Sequence, residues 1–186
     1  MTTMSRRAFG ALITCALATT STAEALAQDL ENTLYMDLSY GRVVIQLRPD
    51  VAPKTVARIK ELARQGFYDG TPFHRVIPNF MAQGGDPTGT GTGGSGRRLE
   101  AEFSAVKHVR GTVSMARSSD VNSADSQFFN CFAPAPHLDG QYTAFGQVIE
   151  GMEFVDRIKK GDPGNNGLVS APQDRIVKMQ VAADAQ

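Results

Sequence analysis

One segment of the chain, residues 73–86, places a single arginine among closely spaced apolar and amide residues. It reads Phe-His-Arg-Val-Ile-Pro-Asn-Phe-Met-Ala-Gln-Gly-Gly-Asp, with the cation at Arg75. A guanidinium is rigid, permanently charged and weakly hydrated, so it can present hydrogen-bond donors without a proton-transfer step. The segment could therefore stabilise charge in a reaction that needs neither a nucleophile nor a base. The alternative is a surface strand residue held in an ion pair.

Other chemistry-bearing patterns are weak. The three histidines, His74, His108 and His137, lack the spacing to cysteines or carboxylates that metal sites show. Residues 91–96 have the letters of a dinucleotide fingerprint, but no βαβ unit surrounds them, and we expect a turning loop beside a site. The nucleophile elbow of hydrolases and the zincin helix motif are both missing from the sequence.

The elements that must position Arg75 are mostly strands. Alternating apolar residues predict strands at 34–40 and 43–47, and six further strand-like runs follow at 73–77, 80–83, 111–115, 127–132, 144–149 and 175–181. Helical spacing predicts helices at 53–65 and 151–160. Because strands and helices do not alternate, we expect a mainly β fold, a closed eight-stranded antiparallel barrel capped by two α-helices. The long connections 84–98 and 161–173 are expected to be functional.

Composition limits the classes of protein that remain. The chain has 186 residues, with 19 Lys and Arg against 19 Asp and Glu, so its formal net charge is zero. A length of this order suits a single domain, and the apolar share is that of an ordinary globular protein. A neutral chain without a basic cluster argues against nucleic acid as a partner.

The first 27 residues differ in character from the rest. Arg6-Arg7 precedes an apolar stretch at 8–18, and the small-residue site Ala25-Leu26-Ala27 follows. This order is typical of a cleavable secretory signal, and the apolar stretch is too short for stable membrane insertion. The arginine pair also resembles the twin-arginine export motif. We therefore expect a signal at 1–27 and an exported, periplasmic mature domain at 28–186.

Two other interpretations of this region stay open. One is the Ala-rich start of a cytosolic protein, which Glu24 beside the cleavage site favours, and the other is a lipoprotein signal ending at Cys15. Cleavage after Ala27 would leave Cys131 as the only cysteine, so the mature chain could form no internal disulfide. We expect Cys131 to be buried as a small apolar residue.

The segment at 73–86 closely resembles the signature of the cyclophilin family of peptidyl-prolyl isomerases, which has the same Phe-His-Arg-Val-Ile-Pro start. The resemblance covers residues 32–181 and continues through 91–94, 111–116, 126–129, 138–140 and 145–152. It implies catalysis of rotation about X–Pro peptide bonds, with no cofactor and no metal. It also agrees with the barrel expected from the strand pattern.

Carried over position by position, the resemblance implies roles for individual residues. Arg75 resembles the catalytic arginine, and Gln83 resembles the amide that contacts substrate and helps to fix that arginine. The remaining positions look like substrate-binding residues: Phe80, Met81, Phe129 and Leu138 in the walls of a proline pocket, Gly91, Gln127, His137 and Tyr142 beside it, and Ala116 and Arg117 on the edge that pairs with the substrate backbone.

Three of these positions depart from the best-known eukaryotic members. Arg117 stands where those members have Asn, His137 where they have Trp, and Tyr142 where they have His. His137 and Tyr142 resemble the bacterial branch of the family. A contact made through the backbone at Arg117 could survive its substitution.

We therefore predict an exported isomerase that assists the folding of exported proteins. Its partners would be proline-containing peptides and unfolded or folding proteins, and it would act as a monomer. The alternative is a peptide-binding or holdase module on the same scaffold with little turnover. The intact set of Arg75, Gln83 and the apolar pocket residues favours the enzyme.

Overall fold

The computed structural model describes residues 29–185, which form mainly short antiparallel strands. All eight predicted strands and both predicted helices are confirmed, whereas the predicted export signal lies outside the described residues. The strands are β1 (Thr33–Leu38), β2 (Gly41–Leu47), β3 (Arg75–Ile77), β4 (Met81–Gly84), β5 (Thr112–Met115), β6 (Phe128–Cys131), β7 (Ala144–Glu150) and β8 (Ile176–Val181). The two predicted helices are α1 (Pro53–Arg64) and α2 (Met152–Arg157).

The strands form one curled sheet in the order β3-β4-β6-β5-β7-β2-β1-β8, with antiparallel pairing throughout. The edge strands β3 and β8 approach each other without pairing along their length. An isolated bridge joins Pro72 to Arg175, and the N–H of Phe73 donates to the carbonyl of Asp174 at 2.9 Å. The fold is therefore mainly β as predicted, but closure of the barrel is not confirmed.

The hairpin of β1 and β2 shows why the apolar alternation folds as it does. Successive side chains of a strand point to opposite faces, so Met36 and Val43 pair across the hairpin and both lie in the core. Gly41 follows the turn with φ +146°, and a Cβ there would lie 2.6 Å from the ring of Phe154 on α2. A glycine at this position lets α2 pack against the hairpin.

The start of α1 and the end of α2 both have local causes. Pro53 occupies the first turn of α1, and the carboxylate of Glu102 accepts from the N–H groups of Lys54 and Thr55 at 2.9 and 2.8 Å. A negative charge at this end also complements the helix dipole. The second helix is shorter than the predicted 151–160 because Ile158 already has an extended backbone.

The sheet has apolar residues on both faces near β4 and β6. Ala82 and Phe128 belong to the main core, whereas Met81 and Phe129 belong to a second, smaller cluster with Cys131. Neighbouring residues of one strand thus serve different clusters. Burial of Cys131 is confirmed, and burial raises the pKa of its thiol to about 12. The second cluster forms the base of the site described next.

Candidate active site

The candidate site is built on one row of residues that crosses four neighbouring strands. Arg75 on β3 pairs with Gln83 on β4, Gln83 pairs with Phe129 on β6, and Phe129 pairs with Ser114 on β5. Residues in direct register point to the same face of a sheet. The fold thereby brings together the predicted catalytic arginine, its amide neighbour and one wall of the predicted proline pocket.

Within the described residues, the guanidinium of Arg75 is held by three hydrogen bonds, and none of these partners is a carboxylate. Nε donates to the carbonyl of Asn166 (3.0 Å), Nη2 donates to Asn166 Oδ1 (2.9 Å) and Nη1 donates to Gln83 Oε1 (3.2 Å). A guanidinium has five N–H groups, so two have no partner within the described residues. Partial burial lowers the pKa of Arg75, but an arginine still keeps its charge at any pH a protein tolerates.

A chain of amide groups holds Gln83 in turn. Its Nε2 donates to Gln127 Oε1 at 2.9 Å, and Gln127 Nε2 donates to the carbonyls of Gly91 and Gly93 at 3.0 and 2.8 Å. Gln127 therefore orients Gln83, and Gly91 in turn orients Gln127. Both Gly91 and Gln127 line a neighbouring hollow instead of the one beside Arg75. The orientation of the Gln83 amide follows from this chain, because its oxygen faces Arg75 and its nitrogen faces Gln127.

An apolar hollow of about 270 Å³ opens beside Arg75. Phe129 and Leu138 are 5% and 6% exposed and belong to the second apolar cluster, so the base of the hollow is well packed. His137 lies over Phe80, with ring centroids 5.4 Å apart. Apart from Gly91 and Gln127, every site residue predicted from the sequence lines this hollow: Arg75, Phe80, Met81, Gln83, Ala116, Arg117, Phe129, His137, Leu138 and Tyr142.

Buried polar groups support the ring of Phe129 from behind. His108 stacks on that ring with centroids 6.2 Å apart, and its Nε2 and Nδ1 lie 3.0 and 3.2 Å from Ser114 Oγ and Asp139 Oδ1. Burial lowers the pKa of His108, although the Asp139 carboxylate opposes this shift. The Ser-His-Asp arrangement resembles a hydrolase triad, but Ser114 is fully buried and no substrate can reach it.

Arg117 is folded back over the rim of the hollow. Its Nε and Nη2 donate to the carbonyl of Gln141 at 3.2 and 3.0 Å, and Nη1 donates to the carbonyl of Ser118 at 2.8 Å. The guanidinium carbon lies 4.5 Å from the ring centroid of Tyr142, which is a favourable cation–π distance. Two of the three departures from the eukaryotic pattern, Arg117 and Tyr142, therefore contact each other.

Asn166 is a residue of the candidate site that the sequence pattern did not reveal. It provides two of the three acceptors for Arg75, and its backbone has φ +50°, the left-handed conformation that Asn adopts more easily than most residues. The available signals were the Asn-Gly pair at 166–167, which is typical of turns, and the long polar connection 161–173. Neither indicated a contact with a residue 91 positions earlier.

The other long connection, 84–98, is organised around Asp86. Its carboxylate accepts from the N–H groups of Thr88, Thr90, Gly91 and Gly93 at 2.7, 3.2, 2.7 and 3.1 Å. Burial opposes ionisation of Asp86, but these hydrogen bonds outweigh it and lower its pKa to about 2. Since this loop carries the carbonyls that hold Gln127, Asp86 acts on the site from a distance.

We expect Asp86→Asn to reduce stability in a pH-dependent way. A carboxylate whose pKa falls from 3.8 to about 2 on folding contributes about 2 kcal/mol, present above pH 3.8 and lost as the pH approaches 2. Urea unfolding at pH 7 and near pH 2 measures this, and the difference between wild type and variant should shrink at low pH. Glu150→Gln, at an exposed position at the end of β7, is the control. A difference that is the same at both pH values would contradict this account.

Comparison with known proteins settles the family. The sequence profile described as cyclophilin type peptidyl-prolyl cis-trans isomerase/CLD matches residues 33–181. The chain belongs to this family. The resemblance inferred from the sequence is thereby confirmed, and so is the class of enzyme, a peptidyl-prolyl cis-trans isomerase.

Individual relatives agree with this assignment. A probable peptidyl-prolyl cis-trans isomerase of Brucella suis is 49% identical over 193 residues, covering 97% of this chain and 98% of the relative. A peptidyl-prolyl cis-trans isomerase of Helicobacter pylori is 44% identical over 147 residues, covering 76% of this chain and 90% of the relative.

Solved structures also match this cyclophilin. A cyclophilin type isomerase of Cryptosporidium parvum, crystallised in the presence of the dipeptide Ala-Pro, has a TM-score of 0.73 at 31% identity and covers 80% of this chain and 98% of its own. A cyclophilin of Hirschia baltica has a TM-score of 0.74 at 26% identity, covering 89% of this chain and 82% of its own.

Residues 29–185 contain neither a cluster of metal ligands nor a membrane-spanning helix. No group of three or more His, Cys, Asp or Glu side chains there is placed to hold a metal ion. Within the same residues, no helix has both the length and the apolar character that a membrane crossing requires.

Proposed function

We propose that Arg75 is the catalytic group of this cyclophilin and that its substrates are X–Pro bonds of exported proteins during folding. The observation that carries the proposal is the place of the guanidinium. Asn166 and Gln83 fix the guanidinium on one side, and on the other side it borders an apolar hollow of about 270 Å³. Two of its five N–H groups have no partner within the described residues and can donate to a substrate.

The chemistry requires no bond to be broken permanently. An X–Pro bond resists rotation by roughly 18–20 kcal/mol because the nitrogen lone pair is delocalised into the carbonyl. At the twisted transition state that lone pair is localised on the proline nitrogen. A guanidinium that donates a hydrogen bond to the twisted amide stabilises this state more than the planar ground state, which is the condition for catalysis.

The apolar hollow would hold the proline ring while the preceding carbonyl swings. Phe80, Met81, Phe129 and Leu138 offer contact area without hydrogen bonds that would favour one isomer. Their second effect is to exclude water, which strengthens the interaction between Arg75 and the developing lone pair. Gln83 would keep the guanidinium aimed at the amide, because its own orientation is set by Gln127.

The test of the activity is exchange spectroscopy by NMR on a short prolyl peptide with the purified mature domain. Catalysis would appear as cis–trans exchange cross-peaks at mixing times too short for the uncatalysed reaction. A domain that shifts the peptide resonances without accelerating exchange would instead be the binding or holdase module.

The exported setting is a separate part of the proposal. Its support is the order of Arg6-Arg7, a short apolar stretch and Ala25-Leu26-Ala27 in the sequence. We expect the mature amino terminus at or near Gln28, to be read by mass spectrometry of protein from the producing cell. Replacing both arginines by Lys should stop export if the twin-arginine route is used. Recovery of an intact Met1 species in the cytosol would refute export.

A further inference from the structure

A second hollow, of about 410 Å³, adjoins the proline pocket. We call it the flanking hollow. It shares Gln83, Ala116 and Arg117 with the proline pocket, so a peptide bound with its proline in one reaches the other. Its far side is lined by residues 91–94, Arg98, Ser118, Ser123 and Asp125.

Two arginines face the flanking hollow with little compensation of their charge. Arg117 donates only to backbone carbonyls, and in residues 29–185 no carboxylate lies within 4.0 Å of its nitrogen atoms. Arg98 has Asp120 at a long 3.8 Å, and its side chain is 74% exposed. Both guanidinium groups therefore keep donors and charge for a ligand.

Asp125, the one carboxylate among the described residues that line the flanking hollow, already accepts hydrogen bonds from the connection 84–98. Asp125 Oδ1 accepts from the N–H of Ser95 at 2.8 Å and from its hydroxyl, and Oδ2 accepts from the N–H of Gly96 at 2.9 Å. These donors offset part of its charge and direct it toward the backbone. The proline pocket itself has no carboxylate among its lining residues, so positive charge prevails along the groove.

We propose that Arg98 and Arg117 make the flanking hollow a binding site for an acidic side chain, Asp or Glu, of the peptide whose proline occupies the pocket. A carboxylate matches the planar donor geometry of a guanidinium, and a Lys side chain would be repelled. This inference rests on the proposed function and deepens it by naming the substrate class: X–Pro segments with an acidic residue near the proline.

The experiment compares peptides that are identical except for Glu, Gln or Lys, placed in turn at each position on either side of the proline. NMR exchange gives kcat/KM, and a titration gives Kd. At one flanking position we expect Glu to exceed Lys by about tenfold at low ionic strength, with Gln between them. In 1 M NaCl, where the Debye length is about 3 Å, the ratio should fall below about twofold.

Variants assign the preference to the two arginines. Arg98→Gln and Arg117→Gln should each reduce the ratio of Glu to Lys, by about twofold to threefold, with less effect on the Gln peptide. Arg97→Gln is the matched control, because Arg97 is exposed, pairs with Glu61 at 3.4 Å and does not line the flanking hollow. It should leave the ratio unchanged.

Two failures are distinguishable. If the Gln peptide is turned over while Glu and Lys peptides perform equally at every position, the acidic-residue site is refuted and the isomerase mechanism stands. If no peptide is turned over, the proposed function fails, and the Kd values alone decide whether the hollow prefers Glu. A preference that Arg98→Gln and Arg117→Gln leave intact would also overturn the inference.

Discussion

Arg75→Ala should lower kcat/KM by about 100-fold and change peptide Kd by less than about threefold. Removing one preorganised donor that acts on the transition state typically costs about 3 kcal/mol, whereas the proline ring is held by the apolar walls of the pocket. Binding and rate should therefore separate. NMR exchange on a prolyl peptide measures the rate, and a titration of the same peptide measures Kd.

The control for this variant concerns the fold and the aim of the guanidinium. Arg75 is not part of the buried core, so circular dichroism should show an unchanged fold. Asn166→Ala keeps the guanidinium but removes the Oδ1 acceptor, and we expect a smaller loss in kcat/KM than for Arg75→Ala. A folded Arg75→Ala domain with the wild-type exchange rate would show that another group performs the catalysis.

Phe129→Ala should weaken binding and turnover together. The side chain is 5% exposed and lies between His108 and Tyr142, with ring centroids at 6.2 and 5.9 Å. Its loss removes one wall of the proline pocket and leaves a cavity, so we expect kcat/KM to fall by about tenfold to 100-fold, mainly through KM. The free energy of unfolding should fall by about 3 kcal/mol in urea titrations.

Phe129→Leu separates the two effects, because it retains most of the apolar volume. We expect it to recover most of the stability and part of the binding. If Phe129→Ala stayed folded and lowered kcat with KM unchanged, the ring would act on the transition state, and its assignment as a wall that holds the proline in both states would be wrong.

Much of the fold follows from local pattern, because alternation and helical spacing report which face of each element is buried. The strands β1 and β2 and the helix α1 could be predicted from such patterns. The boundaries of β3 could not be predicted in this way, since residues 73 and 74 also bond to other segments. Phe73 donates to the carbonyl of Asp174, and the carbonyl of His74 accepts from the N–H of Val169. The placement of β6 between β4 and β5 likewise depends on long-range pairing.

The residues of the site likewise include some that the sequence predicts and one that it does not. Arg75, Gln83 and Phe129 could be predicted because the resemblance to cyclophilins covers their segments. Asn166 could not, because its two contacts with Arg75 depend on the connection 161–173, whose backbone bonds to the edge of β3. Closure of the barrel was expected from a general tendency of sheets to remove their edges. In the described residues, β3 and β8 are instead linked only at one end, by backbone hydrogen bonds around the bridge from Pro72 to Arg175.

The partners of Arg75 among residues 29–185 are all amide or carbonyl groups, and this determines the electric potential in the pocket. A guanidinium paired with a carboxylate is close to a dipole, whose potential falls as the inverse square of distance. A guanidinium without such a partner acts as a monopole, whose potential falls only as the inverse of distance. At 4 Å and an effective dielectric constant near 20, a unit charge still interacts with another by about 4 kcal/mol. Gln83 and Asn166 thus orient the arginine without quenching its field, a combination that Glu at position 83 would not provide.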